Sequence, residues 1–242
     1  MSVLAVAREL RRGRVDVLPL GVAGARELVP LLARELREGG RADAVVEQQV
    51  DSVIGLIWIG EPDEDRLRAA SRAGVPIIAV ADAASVPYVL AEDIINVPPG
   101  QGFPVDEITA AVARRLDEKG AVLAARLPVL RAAVSRHLID MYSKRNAVIS
   151  AAIFIPGVDM PILTLNQIRM VLWIALTHDE ALDRRRSMEL LAVVGAGFGF
   201  RAAARELLDV VPFGGWAIKG AVAYTGTRAI GEAAVRYFQA IE

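Results

Sequence analysis

Val53-Ile54-Gly55-Leu56-Ile57-Trp58-Ile59 runs without a charge and closes on Gly60. A strand that is apolar at consecutive positions has both of its faces covered, which is the pattern of an interior strand in a parallel sheet. The flanking sequence agrees. Asp63–Arg72 has helical spacing and stops at Gly74, and Pro76–Ala81 is a second unbroken apolar strand. Working back, Val15–Leu20 reads as a short apolar strand ending at Gly21. Arg26–Glu38 reads as an amphipathic helix with Leu28, Leu31, Leu32 and Leu36 on one side. Working forward, Ala84–Leu90 reads as a short helix and Ile94–Val97 as a strand. Pro104–Glu118 reads as a helix with Ile108, Val112 and Leu116 on one face. Residues 42–51 fit a helix or an edge strand equally well. Strands alternating with helices in this way predict an α/β unit with a small parallel sheet covered on both faces.

Beyond Lys119-Gly120 the strand signal stops. Ala121–Phe154 is patterned as a helix bent near Pro128, and Pro156-Gly157 breaks it. Met160–Thr177, Ser187–Val210 and Trp216–Ile241 read as three further helices. The expected division is therefore an α/β domain over residues 14–119 and an all-α, four-helix domain over 120–242. Gly195, Gly199 and Ala203 recur every four residues on the third of these helices. Ala217, Ala221, Thr225, Ala229 and Ala233 do the same on the fourth. Small-residue ladders let helix backbones approach closely, so these two helices are expected to pack on each other. Asp183-Arg184-Arg185-Arg186 reads as a solvated loop.

Composition removes several classes of function. The chain has 242 residues and is 54% hydrophobic with a formal net charge of −1; its mean hydropathy is +0.38. The basic surplus of a nucleic-acid binder is missing. There is no cysteine, which excludes disulfides, thiolate metal sites and cysteine nucleophiles. His137 and His178 are far apart, without a local metal-ligand pattern. Arginine supplies all but three of the 28 basic residues; the lysines are Lys119, Lys144 and Lys219. Residues 1–12 carry Arg8, Arg11 and Arg12 and no long apolar core, which predicts no secretory signal. The longest charge-free run, Asn146–Val158, is short of the roughly 18 residues that a spanning helix needs. Several apolar runs are interrupted by a single charge, so membrane association stays open.

Two stretches of the helical half carry a family resemblance. One is Ile155-Pro156-Gly157-Val158-Asp159-Met160-Pro161-Ile162-Leu163-Thr164, followed by Asn166, Gln167 and Arg169. The other is Pro212-Phe213-Gly214-Gly215-Trp216-Ala217-Ile218-Lys219-Gly220, followed by Ala223-Tyr224-Thr225-Gly226-Thr227. Together they resemble the helical domain of unknown function that bacteria append to Era-like GTPase domains, also found in the YcjF group. The order of elements before it is similar to an Era-type GTPase core. Leu18–Arg26 stands in the place of the phosphate loop, Pro76–Asp82 in that of the guanine-reading strand, and Val97–Phe103 in that of the last loop. The resemblance implies an architecture and a GTPase neighbourhood, not a reaction.

The GTPase chemistry itself is missing. A phosphate loop needs Gly-x-x-x-x-Gly-Lys-[Ser/Thr], with amides around the phosphates, a lysine on the terminal ones and a hydroxyl for magnesium. Gly24 is followed here by Ala25-Arg26-Glu27, and Val80-Ala81-Asp82 keeps an Asp but neither Asn nor Lys. No lysine precedes Lys119, so no realignment restores either motif. Gly21-x-x-Gly24 also falls short of a dinucleotide-binding glycine pattern. The reading that follows is a non-enzymatic scaffold or adaptor with a degenerate, nucleotide-incompetent GTPase-like domain and no cofactor. Its expected partner is another protein, a GTPase among the candidates, or a second copy through self-association. Nucleic acid is excluded. The expected location is cytoplasmic, with peripheral attachment to the inner membrane left open. The alternative is a nucleotide sensor or enzyme that uses Gly21, Gly24 and Arg26 unconventionally, with Arg26 on a phosphate.

In the helical half Asp159 fits an N-cap, with Pro161 tolerated in the first turn. Thr164 and Gln167 are placed to share a polar seam with Asp159. Trp216 reads as a hydrophobic corner or an interfacial anchor. Lys219 is expected to pair with Asp159 or Glu206.

Overall fold

The computed structural model describes residues 18–98, 100–153, 160–178 and 215–240. The first elements are β1 (Leu20–Gly24), α1 (Val29–Leu36), β2 (Val45–Glu47) and β3 (Gly55–Ile59). They are followed by α2 (Glu64–Arg72), β4 (Ile77–Val80), β5 (Ile94–Ile95), α3 (Val105–Leu116) and α4 (Lys119–Ala124). Short 3-10 turns lie at Ala42–Ala44, Ala91–Asp93 and Pro128–Leu130. The long helices are α5 (Arg131–Ala152), α6 (Met160–Thr177) and α7 (Gly215–Gln239). A small parallel sheet followed by helices is thus the architecture. The expected helix Ser187–Val210 and the Pro156-Gly157 break lie outside the described residues.

All five strands are parallel, in the order β2-β1-β3-β4-β5. β3 is buried along its whole length between β1 and β4, as its unbroken apolar run requires. Trp58, Leu56 and Leu67 pack with Ala79 and Val86 on one side of the sheet. Leu32 and Leu36 of α1 are fully buried, and α1 packs on β1 and β2. Asp63 caps α2, accepting from the Arg66 N–H at 3.2 Å. Arg115 of α3 donates from Nε to the buried Asp93 and from a guanidinium nitrogen to Glu92 at 2.7 Å, tying α3 to the segment that leads into β5.

Two sequence expectations are corrected here. Ala84–Leu90 is not a helix but a loop: Pro87 supplies no N–H to a helical ladder, and Tyr88 turns the chain with φ +63°. β1 begins at Leu20 rather than ending there, so Gly21–Gly24 is strand and not a loop. The glycines mimic a loop in sequence but are required by close packing. A Cβ at Gly21 would lie 2.8 Å from Gln49 O, and one at Gly24 would collide with Ile59 O. The ambiguous residues 42–51 contain a 3-10 turn and then the edge strand β2.

The chain divides into two compact units. One covers residues 13–134, and Ser135 onward belongs to the other. The change of composition at Lys119-Gly120 and this packing division are different places, because α4 and the Pro128–Leu130 turn pack with α3. The Arg41 N–H donates to Arg126 O at 2.9 Å, and an Arg126 guanidinium nitrogen lies 2.9 Å from an Asp43 carboxylate oxygen.

In the helical unit α7 packs along α6 and meets α5. Gly220 faces Ala147 O and Ala151 of α5, while a Cβ at Gly231 would lie 2.5 Å from Ile139 Cγ1 and 3.1 Å from Met170 Cε. The buried face of α7 is therefore Gly220, Ala223, Thr227, Gly231, Ala234 and Phe238. The ladder picked out by fours runs along a different face: Ala217, Ala221, Thr225 and Ala229 are exposed. A strict four-residue repeat drifts round a helix of 3.6 residues per turn, whereas the observed contact face mixes steps of three and four. The proposed mate of that ladder, Gly195–Ala203, lies outside the described residues.

Candidate functional site

In an open parallel sheet, ligands bind beyond the carboxyl ends of the strands, near the point where the strand order reverses. Here that point is β1, which has β2 on one side and β3 on the other. A cleft of about 830 Å³ opens beside it, over the carboxyl ends of β3, β4 and β5. Its floor includes Ile59, Val80 and Ala81, all buried. Leu28 and Leu31 at the start of α1 form one wall, and the loop carrying Val97 and Phe103 forms the other. The residues directly after β3 and β4, Gly60-Glu61 and Ala81-Asp82, line the cleft, as do Val97 and Pro98 a little beyond the end of β5.

The charged lining is uneven. Glu35, Glu61 and Asp82 bring carboxylates and Arg34 the one guanidinium. Among the described residues none of the four is held in an ion pair, and all are exposed.

Next to the cleft, the place expected for a phosphate loop is closed from inside. The Ala25 N–H donates to Ile59 O at 2.9 Å. The Gly24 N–H makes a long bond of 3.4 Å to Gln48 Oε1, and Gln48 Nε2 donates back to Gly24 O at 3.2 Å. Arg66 holds Gln48 in turn, donating to its carbonyl at 2.7 Å and to Oε1 at 3.1 Å. The Arg66 guanidinium lies 5.1 Å from the centre of the Trp58 ring, and Trp58 Nε1 donates to Glu61 O at 2.9 Å. The Leu28 and Val29 amides both turn back to Ala25 O. Amides committed in this way cannot also cradle a phosphate. Arg26 is exposed in the turn after β1 and does not line the cleft.

The helical unit contains a second polar constellation. Asn146 of α5 donates from Nδ2 to Thr227 Oγ1 at 3.0 Å and to Leu163 O at 3.3 Å. Asn166 donates to Asn146 Oδ1 at 2.8 Å, and Gln167 donates to Thr227 Oγ1 at 2.9 Å. All four side chains are buried. Gln167 therefore does lie in a seam between helices, but its companions are Asn146, Asn166 and Thr227. Thr164 is half-buried and outside this network, and Asp159 lies outside the described residues. Trp216 falls in the first turn of α7, and Lys219 is half-buried one turn on. The partners expected for Lys219, Asp159 and Glu206, both lie outside the described residues. The two stretches that carried the resemblance nevertheless meet, through Gln167 and Thr227.

Gln48, Arg66 and Asn146 carry no sequence signal. Each acts through a neighbour distant along the chain, 24 residues away for Gln48 and Gly24 and 81 for Asn146 and Thr227. Among the described residues no group of three or more His, Asp or Glu side chains is arranged to hold a metal ion. One helix among them, Met160–Thr177, is long and apolar enough to cross a membrane by length and composition, and 56% of it is buried inside the protein.

The fold and the cleft together define an α/β parallel-sheet unit with an open carboxyl edge, joined to a helical unit. No family model, no curated protein and no solved structure matches the chain.

Proposed function

We propose that the chain is a non-enzymatic scaffold or adaptor whose α/β unit is a nucleotide-incompetent relative of the GTPase fold and whose partner is a protein. The observation that carries this reading is the closed turn after β1, where the Gly24 and Ala25 amides are bonded to Gln48 and Ile59 instead of facing a ligand. The absent lysine and magnesium-binding hydroxyl point the same way. The three carboxylates at the neighbouring cleft would repel a polyphosphate.

Calorimetric titration of the whole chain with GTP, ATP and NAD, with magnesium present, tests the proposal. The expected result is no saturable heat with any of them. Micromolar binding that disappears in Arg26→Ala would overturn it in favour of a nucleotide sensor. A second reading, an accessory that associates with membranes, draws on the apolar helix Met160–Thr177. Flotation of the purified protein with liposomes separates that reading from a scaffold that stays in water.

A further inference from the structure

The cleft over β3, β4 and β5 has a composition that selects its occupant. Its floor is apolar, so an occupant needs an apolar body to displace water from Ile59, Val80 and Ala81. Leu28 and Leu31 stand beside it at 40% and 46% exposure. Exposed leucines that continue an apolar floor outward mark a surface for association rather than a sealed ligand cavity. The charges above the floor are Glu35, Glu61 and Asp82 against Arg34, and none of them is in an ion pair among the described residues. Unpaired carboxylates bordering an apolar floor favour cations by direct attraction and disfavour anions by the same margin.

We propose that this carboxyl-edge cleft is the docking site for a partner-protein segment in which arginine or lysine alternates with large apolar residues. The apolar side chains of the segment lie on the floor and against Leu28 and Leu31. Its basic groups reach Glu61 and Asp82 at the ends of β3 and β4. Arg34 is then the one unfavourable group in the lining. This deepens the scaffold reading by naming the chemistry of the partner. The two fail separately, since nucleotide binding would sink the scaffold reading and leave the peptide test standing.

The test is a selection of randomised displayed peptides on the full-length chain, followed by fluorescence polarisation of the consensus peptide. The expected consensus pairs Arg or Lys with Leu, Ile, Val or Phe. Glu61→Lys combined with Asp82→Lys should weaken binding by roughly tenfold or more. Leu31→Ser should weaken it as well, while Arg34→Gln should strengthen it. Glu107→Lys, on the exposed face of α3 and outside the cleft, makes the same charge change as Glu61→Lys alone and should leave binding unchanged where Glu61→Lys alone weakens it. All five altered positions are exposed, so the variants should keep the wild-type melting temperature. The proposal is overturned if no peptide is enriched, if the consensus is acidic, or if Glu107→Lys matters as much as Glu61→Lys alone. It is also overturned if a free apolar amine such as tryptamine binds with the same variant dependence while no peptide does, which would assign the cleft to a small molecule.

Discussion

Gln48 occupies a left-handed backbone conformation, φ +59°, that residues with a Cβ rarely adopt. It holds that position because its side chain completes both polar groups of Gly24 and its carbonyl accepts from Arg66. Gly24 is constrained from the other side. Its φ is +118° and the space for a Cβ is filled by the β3 backbone. Gly24→Ala should therefore cost about 1–3 kcal/mol or more, from backbone strain and the forced separation of β1 from β3. Urea unfolding with an unchanged midpoint would refute this. Asp43 offers a pH test. The hydrogen bond from Arg41, aided by the Arg126 charge, holds its carboxyl below the usual carboxylate range. A depressed carboxyl stabilises the fold above its unfolded pKa and loses that contribution as pH falls through the folded value. Asp43→Asn should lower the melting temperature at neutral pH, and the difference should vanish well below about pH 3.9. A difference that persists there would show that the charge is not its cause.

The elements of the sheet were legible because their signals are local. β3, β4, α2, α3 and α6 lie within a few residues of where periodicity, glycine stops and the Asp63 cap put them. β1 was displaced because its glycines look like a loop until the strands packed around them are known. The candidate cleft was legible only in part. Pro76–Asp82 and Val97–Phe103 were singled out, but the walls came together through folding, and Gln48 and Arg66 gave no local cue. On α7 the sequence picked out a ladder of small residues whose expected mate lies outside the described residues, while the face that meets α5 and α6 carries other small residues, Gly220 and Gly231 among them. That contact face makes a prediction. Gly231→Leu forces a branched side chain into Ile139 and Met170 and should cost roughly 1–3 kcal/mol or more. Ala229→Leu, on the exposed face, should change stability little. Equal melting temperatures for the two variants would refute the assignment. Thr227→Val keeps the shape but removes the oxygen that accepts from both Asn146 and Gln167. An orphaned buried donor costs about 1–3 kcal/mol, so this nearly isosteric change should destabilise measurably in a denaturant titration.

For the whole chain, the packing division sets where it can be cut. A fragment of residues 13–134 keeps α4 and the Pro128–Leu130 turn, in which Leu123, Leu127 and Leu130 are fully buried. It should express as a soluble unit with one cooperative melt. A fragment cut at the composition shift, residues 14–118, loses those leucines and the bond between Arg126 O and Arg41, and should melt lower or aggregate. Equal stability of the two fragments, measured by circular dichroism, would show that α4 is dispensable to the sheet unit.

The amide seam also bears on the order in which the protein can be made. Gln167 leaves the ribosome sixty residues before its acceptor Thr227, and Asn146 eighty-one residues before it. Until α7 has been synthesised, Asn146 of α5 and Gln167 of α6 are without the Thr227 hydroxyl to which both donate. Closing contacts across such separations has an entropic cost and comes late. The seam is thus completed only when α7 brings one threonine to both amides.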